Sequence, residues 1–409
     1  MALITGEMWD VETNIPSGYN FARNTIFPTG LSGPLTFTRS TTGTRINSAG
    51  VLETIAVNQP RFTHDPLTGA PHGILIEGGN TNSLLHTEAL DNAAWNAPSL
   101  NGVVTPNVSA SRSGAITFDR LSSDGTNNRR KQNNSHTPGT LTWFYGMSVR
   151  KQEVESIIEM RFGFEAGGTD RFANARINTA TGVVTFTGNG DQFGVIEYKD
   201  HWRLWASITD NNTANTNRFM NVAIVSGDSA EVGEMQLEPN VLTSYTPSGA
   251  SQGVTAADIL SGPRTIQGGA YSAVWDARTP IAAPSFSQRL MSLHDGTADN
   301  VVEVVRTTAG AVSLIVTSGG VNQATLALGT VANGTRFKVA FRVKDNDIAA
   351  VITGGTVQAD TAANLPPITT LNCGSDHAGA NSWSSTIAAL NEHNGVAMSD
   401  ADLLAAVVL

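Results

Sequence analysis

Two stretches of the sequence carry side chains suited to holding a sugar. Residues 127–134 read NNRRKQNN, a cationic and amide-rich run that could grip an acidic polysaccharide through Arg129, Arg130 and Lys131. Residues 377–385 read HAGANSWSS, where Trp383 stands among small polar residues beside Asn381. The C–H face of a sugar ring packs on an aromatic ring, and its hydroxyls need many donors and acceptors. Each stretch also has a plainer reading. The first is an ordinary solvated loop, and the second is a tryptophan packed beneath its own loop.

Catalytic chemistry finds less support. Gly249-Ala250-Ser251-Gln252-Gly253 fits G-x-S-x-G, but a nucleophile elbow needs a strand–turn–helix setting that this Ser/Gly/Thr-rich stretch does not offer. His64-Asp65 could pair a base with its orienting carboxylate, yet Asp65-Pro66 followed by Thr68-Gly69 is turn chemistry. Glycoside hydrolysis needs two carboxylates flanking one bond, and nothing singles out a pair among 35 acidic residues. Phosphate-loop, dinucleotide, HExxH and paired-cysteine patterns are missing. No enzyme is expected. Asp295 and Asp299, in DGTADN, offer oxygen ligands at the short spacing calcium uses, or else a hairpin turn. Calcium is the only cofactor the sequence suggests.

The composition narrows the partners. Of the 409 residues, 15% are charged and 40% hydrophobic, so the chain can build real cores with an unusually neutral surface. A formal charge of −10 opposes binding to a phosphate backbone, and nucleic acid is not expected as a partner. The single cysteine, Cys373, allows no intrachain disulfide. The opening MALITGEMWD has an acidic residue at position 7 and no basic stretch before an apolar run, so no cleaved signal is expected. No run approaches the ~18 apolar residues of a membrane span, and membrane insertion is not expected.

The elements that must position these residues follow a period of two. In RFKVAFRVK (Arg336–Lys344), Phe337, Val339, Phe341 and Val343 share one face, which predicts a half-buried strand. Tyr271, Ala273, Trp275 and Ala277 share a face over 271–278, and Trp143, Tyr145, Met147 and Val149 do so over 141–150. Ser318-Gly319-Gly320 predicts a hairpin between 311–317 and 321–328. Trp202 and Trp205 cannot both face inward on one regular strand. Short strands recur at this spacing over 140–238 and again over 271–353. The reading is all-β, with two antiparallel, jelly-roll-like β-sandwiches. Residues 244–268 read as the linker between them, and 84–95 as a short helix. Ser399 and Asp402 form a capping-box pattern that starts a terminal helix.

Certain short motifs go further. Thr36-Phe37-Thr38-Arg39, Pro60-Arg61-Phe62, His64-Asp65-Pro66, Thr68-Gly69, Leu75-Ile76-Glu77, Thr81-Asn82 and Asp91-Asn92-Ala93-Ala94-Trp95 together resemble a module of virion proteins from tailed bacteriophages and gene transfer agents. Trp202-Arg203, Met235-Gln236-Leu237-Glu238 and Thr243-Ser244-Tyr245 continue the resemblance. Asp295-Gly296-Thr297 and residues 329–343 are similar to concanavalin A-like, laminin-G-like domains. Gly78-Gly79-Asn80 and Asn391-Glu392-His393 depart from the usual pattern.

The resemblance implies three parts: an extended particle-attachment and oligomerisation region over 1–95, a carbohydrate-binding-module-like sandwich over 96–250, and a laminin-G-like sandwich over 251–409. It implies a spike or fibre protein on the head or tail of a virion, assembled in the bacterial cytoplasm and released by lysis. Such a protein would form a homo-oligomer, contact other virion proteins through its N-terminal region, and bind a host capsular or surface polysaccharide. The alternatives are an adaptor that holds another spike protein, and a polysaccharide depolymerase.

Overall fold

The computed structural model describes residues 17–23, 34–95, 103–123, 129–137, 139, 141–165, 170–211, 214–227 and 229–409. The chain is all-β, built from several antiparallel sheets that pair into two sandwiches. In the first sandwich a 5-stranded sheet runs in the order Arg129–Ser135, Asn217–Ser226, Ile157–Glu165, Arg171–Asn178, Val184–Gly188. It faces a 6-stranded sheet ordered Gln192–Glu197, His201–Thr209, Thr142–Arg150, Ser229–Pro239, Ile116–Ser122, Val103–Ala110. Trp143, Tyr145, Met147 and Val149 from one sheet meet Ile158, Met160, Phe162 and Phe164 from the other, as the period of two predicts.

The second sandwich packs an 8-stranded sheet, centred on Ala270–Arg278 and Arg336–Lys344, against a 7-stranded one centred on Gln288–His294. Trp275, Phe341 and Val339 are fully buried between them. Removing each such side chain from water contributes about 1.5–3 kcal/mol. The predicted hairpin forms, with Gly319 and Gly320 at φ 58° and 76°, a conformation that suits glycine. The terminal helix Asp400–Ala406 starts at Ser399 with the full capping box. It lays Leu403 and Val407 over Val274 and Ala340, so the outer face of that strand pair is covered as well.

Three expectations are corrected. Residues 34–76 are not a separate extended arm. Thr36–Thr38 pairs with Ile259–Pro263, and Pro71–Ile76 pairs with Ser385–Asn394, so these strands complete the second sandwich. Ser17–Asn20 pairs with Ser385–Asn394 too. The stretch 84–95 forms turns instead of a helix, and buries Leu84, Leu90 and Trp95 in the first core. Residues 244–268 are no loose linker, because strands Gly253–Thr255 and Ile259–Pro263 lie within them and Asp258 is fully buried.

Asp258 sits at the centre of a charged hub. Its carboxylate accepts from Arg39 Nη1 at 3.0 Å, from Arg61 Nη2, and from the backbone N–H of Glu77 at 2.9 Å. Arg61 Nη1 also donates to Glu77 at 2.6 Å and to Ser244 Oγ at 2.7 Å. Beside the hub, fully buried Glu238 accepts from the hydroxyl of Thr243 at 2.7 Å. Farther into the first sandwich, Glu234 is held by Arg112 and by Ser148 Oγ at 2.5 Å, with Tyr245 beneath both Arg112 and Arg203. The two sandwiches meet beside the hub, where Ser244, just after strand Ser229–Pro239 of the first, donates through its N–H and its hydroxyl to Glu77 of the second, both at 2.7 Å. Gln192 adds two hydrogen bonds to the backbone of Ala283, at 2.9 and 3.2 Å. Trp202 faces the first core, whereas Trp205 lies on the opposite face under Ala282, so both are buried on opposite sides of one strand. Among the described residues no helix is long and apolar enough to cross a membrane.

Candidate functional site

The outer face of the 5-stranded sheet is built by the residues that alternate with the first core. Because directly opposed residues of antiparallel strands share a face, the register places them in rows. One row reads Lys131, Asn221, Arg161, Asn174, Thr187 across all five strands. The row on one side reads Arg129, Ala223, Glu159, Arg176, Thr185. The row on the other side places Gly163 between Phe219 and Phe172. Gly163 is needed there, since a Cβ would lie 2.1 Å from the Arg171 carbonyl oxygen.

The face carries cations, amides and rings together. Lys131 Nζ lies 4.7 Å from the centre of the Phe219 ring and pairs with Glu165 at 2.6 Å. The Arg161 guanidinium lies 4.0 Å over Phe172. Arg176 donates to Glu159 at 2.7 Å. Asn174 Nδ2 reaches Thr187 Oγ1 at 3.3 Å in an exposed position. Asn221 is only 8% exposed, and its Oδ1 is buried without a hydrogen-bond partner. This arrangement suits a polyhydroxylated ligand bearing negative charge: cations for the charge, amides for the hydroxyls.

The positions predicted from sequence are only partly brought together. Arg129, Arg130 and Lys131 lie on the edge strand Arg129–Ser135, not on a loop; Asn127 and Asn128 fall outside the described residues. Arg129 and Lys131 share the outer face. Arg130, one residue out of phase, stands opposite core residue Val222, so the three cations do not act as one patch.

Trp383 is no platform: it is fully buried, its Nε1 donates to the Arg278 carbonyl at 2.9 Å, and its ring lies 6.0 Å from Phe337. The loop folds its tryptophan into the end of the second core. Asn381 remains exposed at φ 48°, donates to Asp376 at 2.7 Å, and lines a cleft of about 330 Å³ with Gly78, Gly79 and Phe286. It lies on the second sandwich, apart from Arg129 and Lys131 on the first.

The other sequence candidates resolve as turns. Asp295 accepts from Thr297 N and Oγ1 at 2.9 and 2.7 Å and from Asn300 Nδ2 at 2.7 Å, while the Asp299 carbonyl holds Gly320 N at 2.9 Å. The Asp295 carboxylate is thus engaged within its own turn, and among the described residues no cluster of three or more His, Cys, Asp or Glu is arranged to hold a metal. Asp65 accepts from Leu67 N, Thr68 N and Thr68 Oγ1, closing the turn after His64. Ser251 is exposed ahead of strand Gly253–Thr255, with no helix following.

A second cleft, of about 380 Å³, lies between the sandwiches beside Asp191, Gln192 and Ser285. Three of its polar side chains are already engaged: Asp191 with Thr209, Gln192 with Ala283, Ser285 with Asn240.

Sequence reasoning missed Arg161, Asn174, Arg176 and Asn221. The signal was present in RFANARIN, where Asn174, Arg176 and Asn178 alternate with small apolar residues. It was weak in IIEMRFGFE, whose apolar content masks Arg161.

No protein-family model and no curated protein matches the sequence. Among solved structures, the chain is similar to the NanB sialidase of Streptococcus pneumoniae (15% identity, TM-score 0.29), over 34% of this chain and 24% of that one. The match thus spans about a quarter of the sialidase. The Ruminococcus gnavus IT-sialidase CBM40, solved with alpha2,3 sialyllactose, aligns at 18% identity and TM-score 0.29, over 34% of this chain and 83% of the module. Domains LG4-5 of the mouse laminin alpha1 chain align at 13% identity and TM-score 0.24, over 80% of this chain and 92% of theirs.

Proposed function

We propose that this chain is a non-enzymatic glycan-binding protein, and that the outer face of the 5-stranded sheet holds a polysaccharide. One observation carries the reading: the row from Lys131 to Thr187 sets two cations, two amides and a hydroxyl side by side, next to two aromatic rings. Lys131 is paired with Glu165, while Arg161 in the same row has no carboxylate partner among the described residues. The resemblance to virion proteins supplies the setting for this proposal, a homo-oligomeric particle component that attaches to a host-surface polysaccharide. Multiple copies would then add avidity to a modest single-site affinity.

The test is retention of the purified full chain by a panel of immobilised neutral and acidic polysaccharides, with the supernatant assayed for released oligosaccharide. Retention without release is the expected result. Release would make the chain a depolymerase. Retention on no polysaccharide would sink the glycan reading in favour of the adaptor. An observation favours that second reading to a degree: Phe193 and Val195 on the edge strand Gln192–Glu197 are 46% and 37% exposed, which suits a protein partner.

A further inference from the structure

The glycan reading leaves open which chemical class of sugar the face selects and which atoms do the selecting. Its cations are not equivalent. Lys131 is committed to Glu165 at 2.6 Å and Arg176 to Glu159 at 2.7 Å, so each already has its counter-charge within the fold. Arg161, in the middle of the sheet, has no carboxylate partner among the described residues. Its guanidinium rests on the Phe172 ring, and its Nε is buried without a hydrogen-bond acceptor. Directly across the pairing, Asn221 is more than nine-tenths buried and keeps Oδ1 without a donor. What sets Arg161 apart is its charge, which no described carboxylate answers and which an anionic ligand would.

We infer, building on the glycan-binding reading, that Arg161 receives the acidic group of an anionic sugar unit, a carboxylate or a sulfate ester. The guanidinium lies 4.0 Å over the Phe172 ring, a cation–π contact that holds it in place before the acid arrives. A planar fork meets both oxygens of a carboxylate, or two oxygens of a sulfate, so arginine suits this position better than lysine. Phe172 acts from beneath by positioning Arg161, without contact with the acid.

The experiment is affinity electrophoresis of the full chain in gels containing dextran, dextran sulfate or alginate, at fixed salt. These probes are respectively neutral, sulfated and carboxylated. The wild type is expected to be retarded by at least one anionic polymer and to run freely in dextran; the polymer that retards it more identifies sulfate or carboxylate. Arg161→Ala should weaken that retardation at least tenfold, and Arg161→Lys should recover only part of it. Arg129→Ala, which removes an equal charge from the edge of the same face, should weaken it less than threefold. Unchanged thermal unfolding of each variant excludes misfolding as the cause.

Retardation by dextran as strong as by the anionic polymers would overturn this assignment and leave the glycan reading standing. So would equal losses for Arg161→Ala and Arg129→Ala, the signature of diffuse charge attraction. Free migration in all three gels, together with no retention on the wider panel, would remove both.

Discussion

Arg61 and Arg161 differ in what surrounds them more than in what they are. Arg61, in the hub between the sandwiches, is fully buried and donates to Glu77, Asp258, Ser244 Oγ and the Thr44 carbonyl. Arg161 lies on an open sheet face over a ring, with its charge unanswered by any described carboxylate. A guanidinium enclosed by two acids locks three segments of chain together. The same group left with only an aromatic beneath it is available to something outside the fold. The hub ties segments of the fold together, and the face is where the proposed glycan site lies.

The comparison can be broken first at Asp258. Asp258→Asn removes the charge that answers both Arg39 and Arg61. Leaving a buried ion pair half-made costs about 3–5 kcal/mol. Urea unfolding should register that loss, and a change below about 1 kcal/mol would show the hub to be dispensable.

A second contrast lies in pH. Burial pushes the Glu238 carboxyl up from its ordinary 4.5 to about 8. Folding therefore favours its protonated form. That contribution is complete below 4.5 and is lost as pH rises through about 8. Each coupled proton changes stability by at most about 1.4 kcal/mol per pH unit. The unfolding free energy should fall between pH 5 and 8, and Glu238→Gln should flatten that slope. A slope unaltered by the substitution would refute this account of Glu238.

The smallest effect is expected on the face. Asn174→Ala, at an exposed amide, should shift stability by under about 0.5 kcal/mol. A larger loss in the same unfolding assay would mean the face contributes to the fold.

The sequence revealed the sandwiches because their strands bury every second residue, and Phe337, Val339, Phe341 and Val343 follow that rule within a single segment. The capping box at Ser399 and the Gly319-Gly320 hairpin were legible for the same reason: each is complete within a few residues. Pairing Ser17–Asn20 with Ser385–Asn394 is not, since neither segment carries a mark of its partner.

The conspicuous motifs told of architecture. Arg39, Arg61, Glu77 and Ser244 belong to the hub, while Gln236, Glu238 and Tyr245 lie in the buried polar groups adjoining it. The candidate site was less visible because it is a row across five strands, and a row exists only once register is fixed. Arg129 and Lys131 were found from their charge. Trp383 misled because a tryptophan among Gly, Asn and Ser looks exposed, while the carbonyl that accepts its indole N–H lies 105 residues away, at Arg278.

The most direct test of this division of labour is hydrogen–deuterium exchange of the full chain with and without the polysaccharide that it retains. Protection concentrated in Arg129–Ser135, Ile157–Glu165, Arg171–Asn178 and Asn217–Ser226 is predicted, with the hub already slow to exchange in both states. Protection confined to residues 377–385 and Phe286, with the 5-stranded sheet unchanged, would contradict the account and move the binding site to the second sandwich.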